Sequence, residues 1–168
     1  MEELKVKFLM GPAECNDKEV PSYGQAFLEK VGEALGMKIS CAEMDEVKNQ
    51  PLPVYFIASG GAERGFEEFH VQTAEPYILL TVPAYNSLAA SMEIMGYLQE
   101  HGKKGEILHG SPETIAKRLE VLLRVARAKE KLSHMRLGCF GNPGGLIASD
   151  ADFDALKAAS GMELVKFE

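Results

Sequence analysis

Short apolar runs alternate along the chain with longer segments in which apolar residues recur every three to four positions. The short runs are typical of β-strands, and the longer segments are typical of amphipathic helices. Two runs, VYFIASG and PYILLTVP, are apolar almost throughout, as in central parallel strands that are covered on both faces. MRLGCFG is interpreted in the same way. The remaining strands are predicted in the segments LKVKFLM, MKISCAE, GEILHG and MELVKF.

The longer segments predict helices whose ends are marked by particular residues. One begins at about Tyr23 and places four apolar residues on one face, namely Phe27, Val31, Ala34 and Leu35. Others are predicted at 86–101, 112–132 and 153–160. Ser111 is expected to cap the helix that starts at Pro112. Glycine follows three of the helices and takes there the left-handed conformation that other residues resist; these glycines are Gly36, Gly102 and Gly161.

Alternating strands and helices predict an α/β fold with an open, mostly parallel sheet and helices on both faces. The polar stretch EMDEVKNQPLP is expected to form a short helix and a loop. A length of 168 residues, 46% hydrophobic and 26% charged, is typical of one globular domain, and no linker or repeat divides it. We therefore expect a single domain spanning residues 1–168.

Charge and cysteine content narrow the function classes. A net charge of −7 argues against nucleic acid or an anionic membrane as a partner. Cys15, Cys41 and Cys139 form no C-x-x-C pair, which favours free thiols in a reducing compartment. The amino-terminal residues carry acids where a signal peptide carries bases, and no apolar run approaches the ~20 residues of a membrane span. A cytoplasmic protein is expected.

The ligand site of an open α/β sheet lies beyond the carboxyl ends of its strands. The loops predicted there are rich in glycine, hydroxyls, amides and acids and contain almost no bases; they are GPAECND, SGGAER, PAYNS, HGS and GNPGGLIASD. Because Glu63 occupies the helix start after SGGA, a bound phosphate is disfavoured there. Acids, amides and hydroxyls suit a neutral polyhydroxylated ligand. The alternative is that Glu63, Asn86 and Ser111 only cap helices.

His109 ends a predicted strand and is either a binding residue or a histidine that is satisfied within the protein. No local spacing of His, Asp or Glu predicts a metal site, and no catalytic constellation is formed by spacing alone. We assign no catalytic residue.

The segments ASGGAE, PYILLTVPAYNSLAASMEIMGYLQEHGKKGEILHGSPE and RLGCFGNPGGLIASD resemble the N-terminal domain of the L-fucose isomerase-like superfamily, which includes the L-arabinose isomerases. The similarity covers about 54–150. Its elements are a strand that ends in Gly-Gly and an acid, a loop with Asn-Ser that opens a helix, a strand that ends in His-Gly, and a loop that ends in ASD. They map onto Gly60, Gly61 and Glu63, then Asn86 and Ser87, then His109 and Gly110, then Gly141, Pro143, Ala148, Ser149 and Asp150.

The resemblance implies a flavodoxin-like three-layer sandwich in a family that interconverts aldoses and ketoses. In that family manganese and the acid–base carboxylates belong to later domains, so this chain holds no cofactor and is inactive alone. The candidate sugar-binding residues are Gly60, Gly61, Glu63, Asn86, Ser87, His109 and Asn142. Glu63 would accept hydrogen bonds from the sugar hydroxyls, and Asn86 and His109 would bind or orient those hydroxyls. The glycines would let the backbone approach the sugar. Asn142 lies in the GNPGG loop, which departs from the family because a bulkier residue is expected near Gly144 or Gly145.

The partners expected from this resemblance are a sugar and either the missing carboxyl-terminal domains or neighbouring subunits in a homo-oligomer. Two other interpretations stay open. The chain could be a stand-alone sugar-binding or regulatory module of the same fold. It could instead be a nucleotide- or flavin-binding domain, although it has no G-x-G-x-x-G or Walker sequence.

Overall fold

A computed structural model describes residues 3–12, 18–141 and 153–167. Contacts between Cα atoms divide the chain into two compact units, Met1–Leu122 and Leu123–Glu168. Each unit is described by itself below.

The first unit is an α/β fold, as predicted. Its five strands form one parallel sheet in the order β2-β1-β3-β4-β5. Because all five run the same way, the loops after β1, β3, β4 and β5 meet at one edge. The elements in chain order are β1 Glu3–Leu9, α1 Glu19–Leu35, β2 Lys38–Cys41, α2 Met44–Val47, β3 Val54–Ile57, α3 Glu63–Phe69, a 3-10 turn His70–Gln72, β4 Tyr77–Thr81, α4 Ser87–Glu100, β5 Gly105–Leu108 and the first half of α5 Pro112–Ser133.

Helices cover both faces of this sheet. On one face Gly24 of α1 lies against the rings of Phe8 and Phe56. On the other face the odd-numbered strand residues pack with α2, α3 and α4 in one buried cluster that includes Leu9, Met44, Tyr55, Ile57, Phe66, Leu79, Ile94 and Leu98. The near-continuous apolar runs of β3 and β4 are therefore buried on both faces, as predicted.

The left-handed glycines that end three helices are confirmed, with φ of 69° at Gly36, 65° at Gly102 and 74° at Gly161. The start of α1 was predicted too late. The helix begins at Glu19, because Pro21 falls in its first turn, where a missing N–H costs no intrahelical hydrogen bond.

The inner face of α1 also differs from the prediction. Phe27 and Val31 are buried as expected, but Ala34 is exposed and Leu35 only half-buried. Two glycines, Gly24 and Gly32, are buried in their place. A Cβ on Gly32 would lie 2.7 Å from the carbonyl oxygen of Met37. The missing side chain at Gly32 therefore lets α1 lie close to the backbone at Met37.

The second unit contains the rest of α5, β6 Arg136–Phe140, α6 Phe153–Ser160 and β7 Glu163–Phe167. Its strands pair with each other, in parallel, and do not join the five-stranded sheet. The prediction that MRLGCFG is a strand covered on both faces is wrong, since Leu137 is 45% and Phe140 79% exposed. Strand pairing depends on contacts between distant residues, which an apolar run does not specify.

Every helix in the described ranges is too short or too polar to cross a bilayer. Of the cysteines, Cys41 is exposed and Cys139 is half-buried, and both are free thiols. Cys15 lies outside the described residues.

Candidate functional site

The loops after β1 and β3 are packed against each other. The N–H of Gly11 donates to the hydroxyl oxygen of Ser59 at 2.9 Å. A Cβ on Gly11 would overlap the carbonyl oxygen of Gly60, and a Cβ on Gly61 would lie 2.9 Å from the Cα of Gly11. Gly61 also has a φ of 79°, which favours glycine. The predicted close approach of the backbone at Gly60 and Gly61 is therefore an approach between two loops of the protein.

Gly60 also contacts the loop after β4. Its N–H donates to the carbonyl oxygen of Tyr85 at 2.8 Å. A Cβ on Gly60 would lie 3.3 Å from the Cβ of Asn86. The N–H of Gly60 is thus already used within the protein, and Gly60 supports the neighbouring loop by leaving room for Asn86.

Two consecutive residues of the β4–α4 loop adopt the left-handed conformation, Tyr85 with φ 53° and Asn86 with φ 57°. Asparagine tolerates this region, but it is uncommon for tyrosine. Contacts hold Tyr85 there: its hydroxyl donates to the Glu19 carboxylate at 3.0 Å, and its ring meets that of Tyr23 edge-on. Non-glycine residues held in this region cluster at functional sites.

Asn86 stands at the N-cap position of α4, but its side chain makes no capping hydrogen bond. The residue is exposed. The alternative interpretation, in which its amide caps the helix, is therefore not what the structure shows. The amide is left to face solvent at the sheet edge.

Ser87 is fully buried. Its hydroxyl donates to the carbonyl oxygen of Ile57 and accepts from the N–H of Val82 at 3.0 Å. Both capacities of this hydroxyl are satisfied inside the protein, so Ser87 ties the β4–α4 loop to β3 beneath the site.

His109 lies one residue beyond β5, next to the end of β4. Its Nδ1 lies 2.7 Å from the Oγ1 of Thr81, a buried residue whose hydroxyl also lies 3.2 Å from the carbonyl oxygen of Leu108. His109 as a residue is exposed. An exposed histidine is thus oriented by a buried hydroxyl.

Asn86 and His109 line the same open hollow, of about 530 Å³. Its walls come from the β4–α4 loop, the first turns of α4 and His109. The lining residues are Val82, Pro83, Ala84, Tyr85, Asn86, Ser87, Leu88, Ala89, Met92 and His109. Apolar surface on α4, including the 62% exposed Met92, therefore faces the two polar side chains.

Glu63 starts α3, as predicted, but its side chain lines a different hollow of about 190 Å³. That hollow lies between α3 and α4 and is lined by Glu63, Arg64, Phe66, Glu67, Glu93, Ile94 and Tyr97. The structure thus brings Gly60, Asn86, Ser87 and His109 together and separates the Glu63 carboxylate from them. Asn142 lies outside the described residues.

Residues 3–12, 18–141 and 153–167 contain no group of three or more His, Cys, Asp or Glu side chains that could hold a metal ion such as manganese.

Sequence reasoning missed three residues that shape the site. Thr81 had a visible signal, since it is the one polar residue of its strand and occupies the strand's final position. Tyr85 and Glu19 had none, because their contact joins residues 66 positions apart.

No family model matches the chain, and no curated protein matches it significantly. The resemblance to the isomerase superfamily remains a prediction.

Proposed function

We propose that the chain is a sugar-recognition domain of an aldose–ketose isomerase-related protein, and that the hollow lined by Asn86 and His109 binds a neutral polyhydroxylated ligand. The observation that carries this proposal is the pairing of an oriented, exposed imidazole with an amide that makes no side-chain hydrogen bond among the described residues. Isomerisation itself is assigned to other parts of the assembly.

The chemistry of the hollow suits such a ligand. Each sugar hydroxyl donates one hydrogen bond and accepts others, and an amide and an imidazole both offer the matching groups. The apolar side chains of Ala89 and Met92 provide a surface for the C–H face of a sugar ring. No lysine or arginine is among the lining residues, which favours an uncharged ligand over a phosphate.

The proposal includes the surroundings that the resemblance implies. Manganese and the acid–base carboxylates would come from further domains or from neighbouring subunits of a cytoplasmic homo-oligomer. The net charge of −7 supports the view that neither nucleic acid nor an anionic membrane is a partner.

Titration of the purified chain with L-arabinose and L-fucose, followed by amide chemical shifts, tests the proposal. We expect saturable shifts in the β4–α4 loop and at His109. Since a hydrogen bond contributes roughly 1 kcal/mol, His109→Ala and Asn86→Gly should each weaken binding about fivefold.

The control is His101→Ala. His101 is also exposed, but it follows the carboxyl end of α4, about 20 Å from the helix start for its 14 residues. Equal affinities for the wild-type chain and the His109 variant would contradict the proposal. Binding of a flavin or a nucleotide in this hollow would replace it with the alternative interpretation.

A further inference from the structure

The contacts of Thr81 favour one tautomer of His109. The threonine hydroxyl has one hydrogen and can donate it either to the carbonyl oxygen of Leu108, at 3.2 Å, or to Nδ1 of His109, at 2.7 Å. Both contacts of Thr81 are hydrogen bonds only when its hydroxyl donates to Leu108 and Nδ1 of His109 carries an N–H that donates to Thr81 Oγ1. In that tautomer the second ring nitrogen, Nε2, carries a lone pair.

Burial makes this orientation firm. Thr81 has no exposed surface, and a β-branched side chain has few accessible rotamers. Its backbone is paired with β3, opposite Ile57. The imidazole is therefore held at Nδ1 by a rigid group, while Nε2 makes no hydrogen bond to the described residues. An oriented histidine whose outer nitrogen is a free base is the usual arrangement of a general base.

We propose that His109 is a catalytic residue that opens the ring of the sugar bound in the hollow. This inference rests on the proposed function. Isomerisation of an aldose requires the open-chain form, whereas pentoses and hexoses in water are almost entirely cyclic. A domain that binds the sugar ring and carries an oriented base is suited to supply that form.

The reaction balances without a cofactor. Nε2 takes the proton of the anomeric O–H, and the electron pair of that bond forms the C1=O1 double bond. The bond from C1 to the ring oxygen breaks, and its electron pair stays on the ring oxygen. That oxygen takes a proton from water or from the protonated Nε2. The product is the open aldehyde, an isomer of the ring, and nothing is oxidised or reduced.

The test measures anomer exchange of L-arabinose by NMR exchange spectroscopy, with binding followed in the same samples. We expect the wild-type chain to raise the exchange rate in proportion to its concentration and His109→Ala to return it to the buffer rate, since general base catalysis contributes about 10²–10⁴-fold.

A matched pair of variants separates orientation from folding. Thr73 makes the same two contacts as Thr81, 3.2 Å to the carbonyl oxygen of His70 and 2.7 Å to the Tyr55 hydroxyl, but it precedes β4 instead of ending it. Thr81→Val should lower the exchange rate about tenfold, a smaller loss than removal of the base itself, with little change in sugar affinity. Thr73→Val should leave the rate unchanged.

The outcomes distinguish the two proposals. Sugar binding with an exchange rate that is the same for the wild-type chain and the His109 variant would overturn the ring-opening role and leave the proposed function intact. No sugar binding at all would overturn both. Equal rate losses in the Thr81 and Thr73 variants would show that general destabilisation, not the orientation of His109, controls the rate.

Discussion

The carboxyl edge of the five-stranded sheet has two halves that look alike in sequence and differ in structure. At the ends of β1 and β3, glycines bring Gly11 against Gly60 and Gly61, and the hydroxyl of Ser59 receives the Gly11 N–H. At the ends of β4 and β5, the loops diverge and leave a hollow of about 530 Å³. Glycine at a strand end is thus a sign of close packing in one half, whereas the open half is made by larger residues.

The comparison shows why strand-end position alone does not identify a ligand site. A site requires groups that neighbouring loops have not already used. In the closed half the N–H groups of Gly11 and Gly60 are donated to Ser59 and Tyr85. In the open half the Asn86 amide and the Nε2 of His109 have no hydrogen bonds to the described residues, so they are the groups that can recognise a ligand.

The largest effect is expected from filling the contact in the closed half. Gly11→Ala places a methyl group on the backbone of Gly60, which cannot move without displacing β3, so we expect a loss of about 3 kcal/mol in the free energy of unfolding. Gly96→Ala is the control, because this exposed residue of α4 has nothing within 4 Å of an added Cβ. Gly96→Ala should raise the free energy of unfolding, measured in urea, by about 0.5–1 kcal/mol. Similar effects of the two variants would contradict the close packing.

The next effect concerns the hydroxyl that supports the open half. Ser87→Ala leaves the buried N–H of Val82 without its acceptor, and we expect a loss of about 2 kcal/mol in urea unfolding. Ser91→Ala is the matched control one turn later in α4. Ser91 is equally buried, but its hydroxyl only donates to the carbonyl oxygen of Ser87, and its loss should cost much less.

A smaller effect separates the two roles of Asn86. Asn86→Ala should cost about 1 kcal/mol in unfolding free energy, because alanine resists a φ of 57°, whereas Asn86→Gly should be close to neutral. Both variants lose the amide, so both should weaken sugar binding equally. Retention of wild-type affinity by the glycine variant would show that the amide does not touch the ligand.

The smallest effect is expected at the edge of the hollow. Tyr85→Phe removes the hydrogen bond to Glu19 at 3.0 Å and should cost about 0.5 kcal/mol, seen as a small fall in Tm. Tyr23→Phe is the control, since no hydrogen bond of the Tyr23 hydroxyl is found among the described residues. A fall of the same size in the Tyr23 variant would show that the hydrogen bond to Glu19 is not what lowers Tm.

The candidate site was predictable in part. Asn86 and His109 follow neighbouring parallel strands, and the alternation of strands and helices was enough to place them on one edge. The direction of the Glu63 side chain was not predictable, because it depends on how α3 packs against α4. The hydrogen bond of Gly60 was not predictable either, because its N–H donates to the carbonyl oxygen of Tyr85, 25 residues away in sequence.

The sequence by itself determined the strands, the helices and the left-handed glycines at Gly36, Gly102 and Gly161, because each depends on residues within one or two turns of chain. Only the tertiary structure decided the strand order, the pairing of β6 with β7 in a separate sheet, and which half of the sheet edge is open. These depend on backbone hydrogen bonds and packing between residues far apart in sequence, and the same local pattern is compatible with several such arrangements.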